Sequence, residues 1–159
     1  MIVQVENLSE IRSRYQDKKI VLTSGTFDLL HVGHLRYLSA VNALGDIVII
    51  MLSGDKRVEA RKGPKRPIIP EQDRAQMLDA LEVVDYVFID PATKLSDEED
   101  PVHNEIVVQL QPDVYASDGP DPRFWSIMDE SKLVILPRSE GDDHASTSAI
   151  IEHIVSMKH

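Results

Sequence analysis

Blocks of apolar and polar positions alternate along the chain, and their periods predict its elements. Residues 19–23, KIVLT, read as a short buried strand, and GTFDLLHVG, residues 25–33, as the turn leaving it. The next block, HLRYLSAVNALG, places Leu35, Leu38, Val41 and Leu44 at helical spacing and ends on Gly45, a favoured helix stop. DIVIIMLS, residues 46–53, is continuously apolar, as a central parallel strand covered on both faces should be. The basic stretch after it, DKRVEARKGPKR, reads as a loop. PEQDRAQMLDALEVV then opens with Pro70 and acidic residues, as a helix start prefers, and turns Met77, Leu78 and Leu81 inward. DYVFID predicts a third strand, residues 91–104 a polar, acidic surface loop, and EIVVQLQ a short helix. PDVYAS and KLVILP predict the fourth and fifth strands. STSAIIEHIVSM predicts a final helix with Ile150, Ile151, Ile154 and Val155 along one side.

This alternation of strands and helices predicts a parallel sheet with helices on both faces. The expected fold is α/β, a single Rossmann-like doubly wound domain with five strands and a core over about residues 19–155. The 159 residues suit one domain, and neither a repeat nor an interdomain linker interrupts them. No apolar run approaches the ~18 residues of a membrane span. The opening stretch, MIVQVENLSEIRSRYQDKK, lacks the apolar centre of a secretory signal, so a cytoplasmic protein is expected. Without cysteine, disulfide scaffolds and thiolate catalysis are excluded. The net charge of −10 argues against binding to nucleic-acid backbones or anionic membranes. Against that background Lys56, Arg57, Arg61, Lys62, Lys65 and Arg66 form one basic cluster suited to a small polyanion.

Ligands of open parallel sheets bind outside the carboxyl ends of the strands, where strand order reverses. Three chemically loaded stretches leave predicted strands at such ends: SGTFDLLHVGH, SGDKRVEARKGPKR and PRSEGDDHASTS. In the first, His31 and His34 stand three apart at a helix start and point in similar directions. Gly33 leaves no side chain between them, Gly25 would let a ligand lie against the main chain, and a helix N-terminus suits phosphate. Two surface histidines on an amphipathic helix are the ordinary alternative. Zinc lacks a third ligand at fitting spacing, since His103 and His144 fall in predicted loops far along the chain.

GTFDLLHVGH resembles the signature of the cytidylyltransferase-like nucleotidyltransferases, the H-x-G-H superfamily. With the later LPRSEG…STS it is most similar to glycerol-3-phosphate cytidylyltransferases. The middle block, KRPIIPEQDRAQMLDALEVVDYV, resembles instead the adenylyltransferases that make ADP-heptose and the archaeal FAD synthases. The likeness runs from about Ile20 to Ile154. It implies attack by an acceptor's phosphate on the α-phosphorus of a nucleoside triphosphate, releasing pyrophosphate. Such a reaction calls for alignment and positive charge rather than a protein nucleophile.

By this resemblance His31, His34, Lys62 and Arg138 are catalytic. Gly25, Thr26, Phe27, Gly33, Lys65, Asp118 and the run Ser146-Thr147-Ser148 bind nucleotide, while Asp28, Asp55 and Arg74 face the acceptor. Phe27 also reads as packing, Asp28 as a turn cap or histidine-orienting group, Asp55 as a turn residue, and Arg74 as a helix-surface ion pair. Lys62 and Lys65 compete for one phosphate-binding role because Gly63 intervenes. The serine and threonine run also suits ordinary N-capping. Mg²⁺ is the expected cofactor, with no metal ligands assigned on the protein, and a homodimer is expected from the relatives.

Two departures from the pattern leave the nucleotide and the acceptor open. An insertion around Asp142, Asp143 and His144 separates RSEG from STS. Ser117-Asp118-Gly119 replaces the lysine-glycine pair of the heptose enzymes, with Trp125 nearby as base pocket or core. The first expectation is therefore transfer from CTP to a small phosphorylated alcohol resembling glycerol 3-phosphate. An ATP-dependent enzyme acting on a sugar phosphate or FMN is the alternative, and a non-catalytic nucleotide-binding regulator the second.

Overall fold

In the computed structural model, which describes residues 1–92, 101–137 and 146–157, five strands form one parallel sheet. They are β1 (Ile20–Gly25), β2 (Ile47–Leu52), β3 (Tyr86–Ile89), β4 (Val114–Ser117) and β5 (Leu133–Ile135), in the order β3-β2-β1-β4-β5. β1 is central, in register with Ile47–Leu52 on one side and Val114–Ala116 on the other. The chain runs outward from β1 through β2 to β3, then returns past β1 to β4. Strand order thus reverses between β1 and β4, where this architecture places ligands.

The unbroken apolar run of β2 follows from its position: all six of its residues are buried. Alternate side chains enter two cores. Ile20, Leu22, Ile49, Met51, Tyr86, Phe88 and Tyr115 pack on one face with Leu8, Ile106 and Phe124. Val21, Val48, Ile50, Leu52 and Val87 point to the other, with Leu38, Val41, Ala75 and Leu78. The first layer is supplied by α1 (Leu8–Arg14), α5 (Pro101–Leu110) and α6 (Pro122–Trp125), the second by α2 (Val32–Asn42) and α4 (Glu71–Asp79). Doubly wound packing is as expected. No helix among the described residues is long and apolar enough to cross a membrane.

Four elements depart from expectation. α1 escapes notice because only Leu8 and Ile11 of its seven residues are buried. The basic stretch expected as a loop begins as α3 (Asp55–Lys62), in which Val58 and Arg57 are buried, and stops at Gly63 with φ of +92°. One buried apolar position per eight residues leaves no period to read. α5 begins at Pro101 rather than Glu105, which takes His103 out of the predicted loop and buries it. The last helix, α7 (Thr147–Ser156), has its expected apolar positions, yet none of its residues is fully buried.

Candidate functional site

At the carboxyl ends of β1 and β4 lies a cleft of about 850 Å³. That is within the ~300–1,000 Å³ usual for small-molecule sites. β1 leads into α2 through the segment Thr26 to His31, and β4 leads into α6 through Asp118 to Asp121, so the two connections diverge to opposite faces and open the space between them.

α2 starts at His31, whose extended backbone (φ −140°, ψ 171°) makes it the N-cap. His34, three residues on, folds back so that its Nδ1 accepts the His31 backbone N–H at 3.4 Å. In neutral His34 the proton is therefore on Nε2, which becomes the donor. The two imidazoles stack with centroids 3.8 Å apart and planes inclined by 26°. Both line the cleft, together with Gly33 and Thr26. Phe27 is buried, has φ of +48° and lies 5.3 Å from the His34 ring. A Cβ on Gly25 would come within 2.6 Å of the Phe27 ring. The protein's own aromatic ring thus already requires glycine at 25, which also lines the cleft.

Asp28 and Arg74, expected at the acceptor, form the framework beneath. Asp28 is 1% exposed and accepts the backbone N–H groups of Ile68 and Ile69, each at 3.0 Å, and Arg66 Nε at 2.9 Å. Burial alone would raise its pKa, but these amides and the guanidinium outweigh burial and hold it below the ordinary value. The backbone carbonyl of Asp28 accepts from Thr147 Oγ1 at 2.6 Å. Arg74 is fully buried and donates to the carbonyls of Ile69, Thr26 and Ser53 and to Asp55 Oδ1, the last at 2.6 Å. Asp55 is thereby tied to Arg74 and lies outside the cleft lining. Asp28 is among the residues lining the cleft and Asp55 and Arg74 are not; together these groups hold the β1–α2 turn against α3 and α4.

The last turn of α3 presents Arg61 and Lys62 to the cleft, and α2 adds Arg36. Both Lys62 and Lys65 are exposed, and of the two only Lys62 is among the residues lining the cleft. The N-terminus of α7 arrives from the other side. Ser146 caps it, accepting the Ala149 N–H at 3.1 Å, and Ser146, Thr147 and Ser148 all line the cleft. Arg138, Asp142, Asp143 and His144 lie outside the described residues.

The opposing wall is Ser117, Asp118, Gly119, Pro120, Asp121 and Arg123. Of these only Asp118 was singled out as a site residue from sequence. Trp125 is 38% exposed, outside the core, and is not among the residues lining the cleft. Behind the wall is a buried polar network. Arg123 donates through Nε and Nη2 to the two carboxylate oxygens of Asp121 at 2.8 and 2.6 Å, and to Ser24 Oγ at 3.0 Å. It also approaches Asp90 at 3.4 Å, and His103 Nε2 is 3.3 Å from the same carboxylate. Burial would raise the pKa of both carboxyls. His103 and Arg123 lower that of Asp90, and Arg123 lowers that of Asp121, so both rest below their ordinary values. Burial, and next the charge of Asp121, push the Tyr115 hydroxyl well above its usual value, so it donates to Asp121. No periodicity marks these residues. Their only sequence signal is the Asp-Pro-Arg run that starts α6.

Around the cleft, α2, α3 and α7 thus bring imidazole and backbone donors, two helix N-termini and three cations. The β4–α6 wall offers hydroxyls, a backbone turn and carboxylates. Such a cleft can hold a polyphosphate by its charge and a polyol or base by hydrogen bonds.

Residues 22–155 match the family model described as cytidylyltransferase-like. The bifunctional protein HldE of Helicobacter pylori (strain Shi470) is 39% identical over 153 residues, which is 96% of this chain and 31% of that protein. HldE of Campylobacter curvus (strain 525.92) is 38% identical over the same shares, and HldE of Methylobacillus flagellatus reaches 47% over 103 residues, 65% of this chain and 20% of that protein. The chain therefore spans under a third of the length of these relatives. Among solved structures, a lipopolysaccharide core biosynthesis protein from Thermoplasma volcanium GSS1 superposes with a TM-score of 0.58 at 23% identity, covering 77% of this chain and 99% of that one. A pantoate-beta-alanine ligase from Francisella tularensis gives 0.58 at 14%, covering 96% and 72%. Both likenesses are of fold.

Proposed function

The chain belongs to the cytidylyltransferase-like family, and we propose that it transfers AMP from ATP to the phosphate of a sugar phosphate resembling heptose 1-phosphate. The observation that carries a nucleotidyl transfer is the convergence of three separate stretches on one cleft: His31 and His34, Arg61 and Lys62, and Ser146 to Ser148. The choice of ATP and a sugar phosphate over CTP and glycerol 3-phosphate is supported by the HldE relatives, similar over almost the whole chain. The resemblance of the middle block to the adenylyltransferases that make ADP-heptose points the same way.

In this reading an acceptor phosphate oxygen attacks the α-phosphorus, the bond to the β-phosphate oxygen breaks, and pyrophosphate leaves with the electron pair. His34 Nε2 and His31 donate to the α-phosphoryl oxygens as charge gathers there, while Arg61, Lys62 and the α7 N-terminus hold the departing phosphates. Among the described residues no group of three or more His, Cys, Asp or Glu could hold a metal ion, so no step is assigned to a protein-bound one. Mg²⁺ is taken to arrive on the triphosphate, as part of the substrate. A homodimer is supported by the apolar side chains that α7 leaves uncovered, Ile154 at 52% and Val155 at 57% exposed.

A pyrophosphate-release screen tests the reaction, pairing ATP and CTP with heptose phosphate, glycerol 3-phosphate, ribitol phosphate, phosphoethanolamine and FMN. ATP with heptose phosphate should be the fastest pair. If nucleotide binds but no pair releases pyrophosphate, the protein is a nucleotide-binding regulator and the proposal fails. His34→Ala should lower kcat by about a hundredfold or more with the fold intact, as loss of one transition-state donor does.

A further inference from the structure

The network behind the β4–α6 wall has no part in the transfer as written, yet it touches both sides of the cleft. Ser24 is the last β1 residue before Gly25 and the imidazole turn, and its side chain lies on the same sheet face as Tyr115. Asp121 belongs to the opposite wall, where it also caps α6 by accepting the Arg123 backbone N–H at 3.2 Å. One guanidinium spans them. Arg123 reaches Ser24 Oγ and both oxygens of Asp121, while its remaining nitrogen, Nη1, faces Asp90 at the end of β3. Ser24 Oγ and Tyr115 OH are 2.8 Å apart, and Tyr115 donates onward to Asp121. The ring Ser24–Tyr115–Asp121–Arg123 is closed, so neither wall can shift without breaking it. Arg123 is 6% exposed, and the edge it keeps open lines the cleft.

We infer that Arg123 is a positioning residue: it sets the spacing between the imidazole turn and the β4–α6 wall, and so the width of the crevice that takes the nucleotide. The planar fork is what the geometry needs, because a lysine ammonium at this position keeps the charge but cannot bond Ser24, Asp121 and Asp90 together. The inference rests on the nucleotide-binding reading above.

The test uses Arg123→Lys, which leaves the buried carboxylates a cation, and Ser24→Ala, which removes the hydroxyl that accepts from Arg123 and bonds Tyr115. Nucleotide binding is read by titration calorimetry, and folding by thermal unfolding. Arg123→Lys should weaken ATP binding and raise the ATP KM by about tenfold, as misplacement of a binding wall does, with a smaller change in kcat. Ser24→Ala should do the same in part, and the double variant should be no worse than Arg123→Lys alone. A merely structural arginine would lower the unfolding temperature and leave the ATP Kd and KM at wild-type values below it. That result would overturn the inference while the proposed function stands. A wild-type protein that binds no nucleotide would overturn both.

Discussion

Asp28 sits inside the most informative motif of the chain, and its carboxylate is engaged by the protein itself. Its charge is spent on Ile68, Ile69 and Arg66, which dock the segment between α3 and α4 onto the β1–α2 turn. Because its pKa is depressed in the folded state, the stability it contributes is present above the unfolded value of about 4 and is lost as pH falls through the lower folded value. Asp28→Asn should therefore cost about 2–3 kcal/mol at pH 7, the scale of hydrogen bonds to a charged group. It should also lose less stability than wild type between about pH 4 and 2. Urea unfolding across that range measures both. Gly25 carries a related lesson. The residue types of the motif announce a phosphate site, but which of them face the ligand depends on where the Phe27 ring lies, and no spacing encodes that.

Among the elements, α3 most changes what the basic cluster can do. As a loop, all six cations could converge on one anion. As a helix ending at Gly63, α3 buries Arg57, brings Arg61 and Lys62 into the cleft lining and leaves Lys56 outside it, while beyond it Lys65 is also outside the lining and Arg66 pairs with Asp28. Lys62→Ala should raise the KM for a phosphorylated substrate about tenfold or more, the loss of one charge-assisted bond, whereas Lys65→Ala should leave it unchanged. Steady-state kinetics on the two variants separates them, and equal effects would refute the helical placement of the anion site. β1 to β4 are legible as runs of buried apolar residues, β5 as a short apolar run although none of its residues is buried, and α2 and α4 because apolar residues recur at helical spacing along eleven and nine residues. α1 and α3 bury one or two apolar side chains each, and α6 has four residues, too few for a period to show. The imidazoles and the α7 cap were legible for a different reason, as a motif. The Arg123 network was not, because its members come from β1, β3, β4, α5 and α6 and meet only in the folded chain.

At the scale of the molecule, burial is uneven. β1, β2 and β4 are enclosed by helices on both faces, while β5 is a three-residue edge strand and α7 exposes Ile154, Val155 and Met157. Water on such a surface favours a partner. The protein should sediment as a dimer, and Ile154→Asp with Val155→Asp should shift it to monomer without unfolding it. A wild-type monomer at micromolar concentration would remove the homodimer from the proposal.

The alternation along β1 has a last consequence. Thr23 bonds the α2 tyrosine Tyr37 on one side of the sheet, and Ser24 bonds Arg123 on the other. The crevice is accordingly the seam where two separately packed halves of the protein come together. A nucleotide lodged there acts as a rivet through both, so occupancy should be felt as stiffness in each layer at once rather than only at the residues that touch it.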